Sequence, residues 1–364
     1  MKVSLLCGAH YEGAEAHWQA PPVPPTLCDP GIARQSFDHF LSYAALADEL
    51  GFDWVSVSKH HSSPLILTPS VAPLAGALTQ IVRRARIALL GPLAPVNNPV
   101  RVAEEIAILD QLSHGRLVVL PLRGSPGEFN CYGPIDALQT QSMTQEATRL
   151  IRKALTDAEP FAWEGQYYHF PRVGVWPRPI QQPHPPLYFS GNSASSALFA
   201  AGERLGVCLS FHPTEVVADT IGKYLTEAES AGWQPTPDDM VYRGFALVAD
   251  TPERAAELEA RFLPPGLRFL LNGPSPGPEA SAHARPSGPG RMLFAGTPET
   301  VVERIRAFQA ATGVGVLDLI FSGGQFPAED VQRSIELFGR EVLPRIRELT
   351  PARQPARAVA SSGS

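Results

Sequence analysis

Three short stretches of this chain concentrate side chains that do chemistry. Lys59, His60 and His61 stand in a row. An imidazole titrates near pH 6.5 and can donate or accept a proton at neutral pH, so the histidine pair is a candidate for general acid–base work. Arg101 and Arg123 carry guanidinium forks that suit a phosphate. Ser190, Gly191, Asn192, Ser193, Ala194, Ser195 and Ser196 form a small polar turn before an Ala-rich segment. A helix beginning there would aim free amides and hydroxyls at an anion. Plain Ser N-capping explains the turn equally, and a surface ion pair explains either Arg alone. Their coincidence is what points to a phosphate site.

Other chemistries lack their residues. There is no G-x-G-x-x-G, Walker or H-E-x-x-H pattern, and Gly191 to Ser195 approach a nucleophile elbow without its second Gly. Cys7, Cys28, Cys131 and Cys208 are too scattered for a zinc or disulfide framework, which suits reduced thiols in a cytoplasmic protein.

The elements that would position these groups alternate between short apolar runs and longer segments of helical period. Candidate strands are residues 3 to 8, 54 to 58, 86 to 91, 117 to 121, 187 to 190, 207 to 210, 241 to 248 and 316 to 321. Uninterrupted runs such as Leu117-Val118-Val119-Leu120 fit strands covered on both faces. Such alternation gives an α/β chain, and about eight strands predict a (β/α)8 TIM barrel. Phe37, Phe40, Leu41, Ala44, Ala47 and Leu50 mark one helix face, stopped by Gly51. Asn98-Pro99, Thr251-Pro252 and Thr297-Pro298 read as N-cap and first helical position. In a parallel barrel the strand C-terminal ends share one face. The histidines, Arg123 and the Ser turn would then border one pocket.

With 364 residues, 44% hydrophobic and 18% charged, the composition excludes a disordered or fibrous chain. A net charge of −6 without a basic run argues against nucleic acid as partner, and no 18-residue apolar stretch is present to predict a membrane span. Pro, Gly, Ser and Ala dominate residues 264 to 290, which reads as a long loop, and 351 to 364 reads as a frayed tail after a single domain over 1 to 350.

Several stretches together resemble the bacterial luciferase-like, flavin-dependent monooxygenases. The most specific are Asn98-Pro99-Val100-Arg101-Val102-Ala103-Glu104-Glu105, Leu109-Asp110-Gln111-Leu112-Ser113-His114-Gly115-Arg116 and Arg123-Gly124. Gly51-Phe52-Asp53 leading to His60-His61, the Gly191-Asn192-Ser193 turn, Gly296-Thr297-Pro298-Glu299 and the closing helix with Phe338, Val342, Leu343 and Pro344 extend the likeness over roughly residues 1 to 350.

That resemblance implies a barrel binding reduced flavin, usually FMN as FMNH2, with dioxygen and a small organic molecule as substrates. The reaction implied is hydroxylation or Baeyer–Villiger oxidation, and luminescence is not implied. A separate NAD(P)H-dependent flavin reductase would supply the cofactor. Arg101, Arg123, Asn192, Ser193 and Ser196 match positions that hold the flavin phosphate. His60 and His61 match the histidine pair whose first member is catalytic in luciferases. The position before that pair is commonly Glu, whereas Lys59 here puts a cation beside His60 and reads as a salt-bridged structural residue. Gly91 and Pro92 fall where some members place a cis peptide beside the flavin ring, so a cis Gly91-Pro92 bond is expected. Residues 264 to 290 correspond to a lid loop, and Phe189, Phe211 and Trp176 are candidate pocket walls, each of which reads equally as ordinary core. Homodimers would pair through helices near Ser70 to Arg83 and Val100 to Leu112. Ala, Pro and Gly richness suggests a GC-rich source, where such enzymes often tailor natural products. An F420-dependent oxidoreductase performing hydride transfer shares these motifs, and a non-catalytic flavin-binding protein is the reading from another class.

Overall fold

The structure, a computed structural model, describes residues 1–17, 22–124, 128, 132, 135–261, 293–322 and 326–349. The 264 to 290 loop and the 351 to 364 tail lie outside the described residues. The strands in chain order are β1 (Lys2–Cys7), β2 (Trp54–Val57), β3 (Arg86–Leu93), β4 (Leu117–Leu122), β5 (Phe161–Glu164), β6 (His169–Val173), β7 (Tyr188–Ser190), β8 (Gly206–Ser210), β9 (Met240–Val248), β10 (Leu293–Gly296) and β11 (Val316–Ile320). Eight of them pair in parallel in the order β4-β3-β2-β1-β11-β9-β8-β7. A parallel bridge from Val119 to Leu187 joins the two ends, so the sheet closes into the expected barrel.

All eight strands expected from the apolar runs are present. Three more are added: β10, which pairs with the end of β9, and the antiparallel hairpin β5-β6. The barrel strands form because their β-branched and Leu side chains are covered on both faces. Val55, Val57, Ile87, Leu117 and Val119 are all fully buried.

Helices pack outside this barrel. In α1 (Pro30–Leu50) the Asp29 side chain caps the first turn by accepting from the Gly31 and Ile32 amides, while Phe40, Ala44 and Ala47 are buried. Gly51 ends it at φ 84°, the left-handed stop that its sequence position suggested. Two further helices border the site, α2 (Val71–Ile81) and α3 (Pro99–Leu112), the latter capped by Asn98 as expected.

One polar layer interrupts the apolar interior. Strand register sets Arg243 of β9 beside Asp318 of β11, and Asp318 beside Ser4 of β1. Arg243 Nε donates to Asp318 Oδ2 at 2.9 Å, and Ser56 Oγ donates to Asp318 Oδ1 at 2.6 Å. All of these residues are buried. Removing one partner of such a pair strands the other charge, at about 3 to 5 kcal/mol. Asp318→Ala is therefore expected to lower the unfolding free energy from urea titration by that amount, with the midpoint falling in proportion, and the double variant Asp318→Ala/Arg243→Met to recover much of it. A midpoint unchanged in the single variant would remove the pair from the stability of the barrel.

Candidate functional site

The loop that follows β2 carries the histidines, and backbone bonds hold it in place. His60 N–H donates to Thr68 O at 3.1 Å, and Leu67 N–H donates to Ala9 O at 2.8 Å, locking this loop to the one after β1. Lys59 is buried, His60 is about one-third exposed, and His61 is buried. The sequence reading of Lys59 as salt-bridged holds: its ammonium donates to Glu128 Oε1, and the same oxygen lies 3.2 Å from His60 Nδ1. Burial pushes the Glu128 carboxyl up, but the His60 hydrogen bond and the Lys59 charge outweigh it and hold the group well below the usual carboxylate range. Tyr132 Oη is 3.3 Å from His61 Nδ1, with the two rings edge to face at 5.1 Å. Burial, and then the Lys59 charge, lower the His61 pKa.

Lys59, His61 and Tyr132 border a cleft with about 490 Å³ of open space, and His60 lies beside it in sequence without lining it. Its lining includes Lys59, His61, Tyr132, Gly91, Pro92 and Asn97, with Val71, Leu89, Leu93 and Val102 as apolar wall. Gly91 and Pro92 thus border the cleft, but the expected cis bond is corrected. Among the described residues the cis peptides are Trp176-Pro177 and Gln182-Pro183, and Gly91-Pro92 is trans. Gly91 answers a different need: it sits at φ 139°, and a Cβ there would meet Lys59 Cγ at 2.9 Å.

The Ser turn follows β7 at the same end of the barrel. Ser193 caps the helix Ala194–Gly202, and its Oγ lies 3.2 Å from Ser195 Oγ and 2.9 Å from Ser196 Oγ. Asn192 Oδ1 accepts from the Ser210 amide at 2.7 Å, tying the turn to β8. Asn192, Ser193 and Ser196 are therefore brought together. Arg101 and Arg123 are not joined to them by any hydrogen bond among the described residues. Arg101 is exposed on α3 and pairs with Glu105 at 3.2 Å, an i,i+4 surface contact, while Arg123 is exposed at the end of β4.

Two of the three expected pocket walls also need correction. Trp176 is 88% exposed after the β5-β6 hairpin, and Phe189 packs on Phe199 in the core. Phe211 stacks on Phe245 at 5.0 Å, at the C-terminal end of β8.

Sequence reasoning missed Glu128 and Tyr132. The available signal was Lys59 itself, since a lysine following a buried strand needs a carboxylate, and Glu128 lies in the segment after the neighbouring Arg123. It also missed a second cleft, of about 530 Å³, between α1 and the loops after β1 and β11, with His10, Glu12, His39 and Tyr43 in its lining. Among the described residues no group of three or more His, Cys, Asp or Glu is arranged to hold a metal, and no helix is long and apolar enough to cross a membrane.

His10 Nδ1 donates to Leu65 O at 2.6 Å. Burial lowers the His10 pKa to about 4, with the Leu65 carbonyl opposing the shift and His60 adding to it. The unfolded chain takes up this proton near pH 6.5 and so binds more protons over the interval between. Stability is therefore expected to fall as pH drops from about 6.5 toward 4. In urea titrations across that range His10→Gln should flatten the decline, and an unchanged slope would show that His10 does not cause it.

Comparison with known proteins agrees with this geometry. The family model described as luciferase-like monooxygenase matches residues 14–314. The FMNH2-dependent dimethylsulfone monooxygenase of Pseudomonas putida is 26% identical over 347 residues, covering 90% of this chain and 88% of the relative. The oxygenase component of the flavin-dependent trigonelline monooxygenase of Acinetobacter baylyi is 24% identical, covering 88% and 93%. Among solved structures, the monooxygenase RslO1 of Streptomyces bottropensis superposes with a TM-score of 0.74 at 26% identity, covering 94% and 99%. An F420-dependent secondary alcohol dehydrogenase shares the fold with a TM-score of 0.71 at 22% identity, covering 95% and 99%.

Proposed function

Because the chain belongs to the luciferase-like monooxygenase family, we propose that it is the oxygenase of a two-component system. It takes reduced FMN from a separate NAD(P)H-dependent reductase and uses dioxygen to hydroxylate or Baeyer–Villiger oxidise a small organic molecule. The observation that carries this reading is a histidine pair and an anion-suited helix N-terminus at the same end of one barrel. The relatives that match almost the whole chain, named as FMNH2- and flavin-dependent monooxygenases, add support.

The donor set fits the flavin phosphate. Three Ser hydroxyls cluster at the helix start, where the first amides lack intrahelical partners. Arg123 is free to swing toward a bound dianion, and the exposed Arg101-Glu105 pair costs little to exchange for one. Bound reduced flavin supplies the electrons that activate dioxygen. The chain orients it through the phosphate, screens it from water with the aliphatic wall of the cleft, and moves a proton at His60. Self-association belongs to the same reading: Ile108 and Leu112 lie exposed on α3, one turn apart, where a second copy would cover them.

Two substitutions separate binding from chemistry. Arg123→Ala should weaken FMN affinity about tenfold, the scale of one charged hydrogen bond. His60→Ala should leave that affinity nearly intact and lower product formation by about 10² to 10⁴. An unchanged dissociation constant removes Arg123 from the site, and full coupled turnover without His60 makes that residue structural. The reading as a whole is tested by oxygen uptake with reduced FMN and with reduced F420 over a substrate panel. Substrate-coupled uptake with FMN supports it, whereas hydride transfer from F420 without oxygen replaces it.

A further inference from the structure

A buried ammonium beside two histidines needs an explanation that the proposed chemistry does not supply. Lys59 is only 3% exposed, and a charge so placed persists only against a counter-charge with hydrogen bonds. Glu128 provides both from beyond β4, and it does more than neutralise. Its Oε1 accepts from Lys59 Nζ and stands 3.2 Å from His60 Nδ1, so one oxygen joins two consecutive residues of the β2 loop. A carboxylate is an acceptor only, so the proton in the His60 contact belongs to Nδ1. Nε2 is then the ring nitrogen left with a lone pair. Among the described residues, ionisable groups that also act around this ring include His61 on the same loop and His10 from the loop after β1. Four residues beyond Glu128, Tyr132 meets His61 Nδ1. Glu128 and Tyr132 thus each meet one of the two imidazoles.

We propose that Glu128 is a positioning residue for His60: it cancels the Lys59 charge and holds the Nδ1–H tautomer, presenting Nε2 to the reacting groups. Its consequence for turnover rests on the oxygenase reading, but its geometry does not. Without the carboxylate, solvent would choose the tautomer.

Nitrogen and proton NMR of the histidine rings in the cofactor-free chain tests this, with His60 assigned from His60→Gln. Glu128→Leu, which removes the acceptor oxygen that a Gln would keep, should abolish the Nδ1–H preference. Glu128→Asp should keep it. Lys59→Met/Glu128→Leu should also leave the tautomer mixed. A folded Glu128→Leu chain with an unchanged tautomer overturns the proposal. If that single variant does not fold, the double variant decides, because an Nδ1–H preference retained there also overturns it. The NMR result stands whether or not the chain proves to be an oxygenase. If it is one, kcat should fall in Glu128→Leu with KM nearly unchanged, and recover in Glu128→Asp.

Discussion

An ammonium held out of water demands a carboxylate against it, and the mouth of this barrel is arranged around that demand. Lys59 follows β2 with its stem packed into the wall of the cleft, close enough to β3 that only glycine fits at position 91. Its charge draws Glu128 inward from the segment after β4, and Glu128 also takes His60. Tyr132, a few residues on, reaches His61. One buried lysine therefore meets a glycine, a carboxylate and, through that carboxylate, one imidazole.

The barrel supports this arrangement in two ways. Parallel strands bring the ends of β2, β4 and β7 to one face, so groups far apart in sequence become neighbours without long excursions of the chain. Below them the Arg243-Asp318-Ser56 layer crosses the interior, tying β2, β9 and β11 together by directional bonds within an otherwise apolar core. Hydrogen bonds between the loops after β1 and β2 then limit how far the histidines can move. The Ser turn is set independently, by capping and by the Asn192 bond to β8.

Much of this was legible in the sequence, because the barrel strands are unbroken apolar runs and the helices carry explicit caps. Asn98-Pro99 and Gly51 are positions whose local chemistry leaves few alternatives. The hairpin β5-β6 escaped notice because it is half-exposed, contains Pro171 and shows no apolar run. β10 is only four residues long and follows a stretch dominated by Pro and Gly. Gly91 was assigned to the wrong purpose, since the same residue type answers close approach and positive φ as well as a peptide isomer. Glu128 and Tyr132 lack any periodic context, and long-range charge pairing leaves no local mark except the lysine that needs it. Arg243 and Asp318 did leave one, as charges inside apolar strands.

The flavin reading joins two features that the structure builds separately, the Ser turn and the histidine pair, and a single ligand must span them. A crystal structure of the chain with FMN measures that directly. The expected result places the phosphate on Ser193, Ser196 and Arg123, and the ring across the barrel mouth with His60 Nε2 facing its reactive edge. FMN bound away from the Ser turn, or with its ring remote from His60, would contradict it.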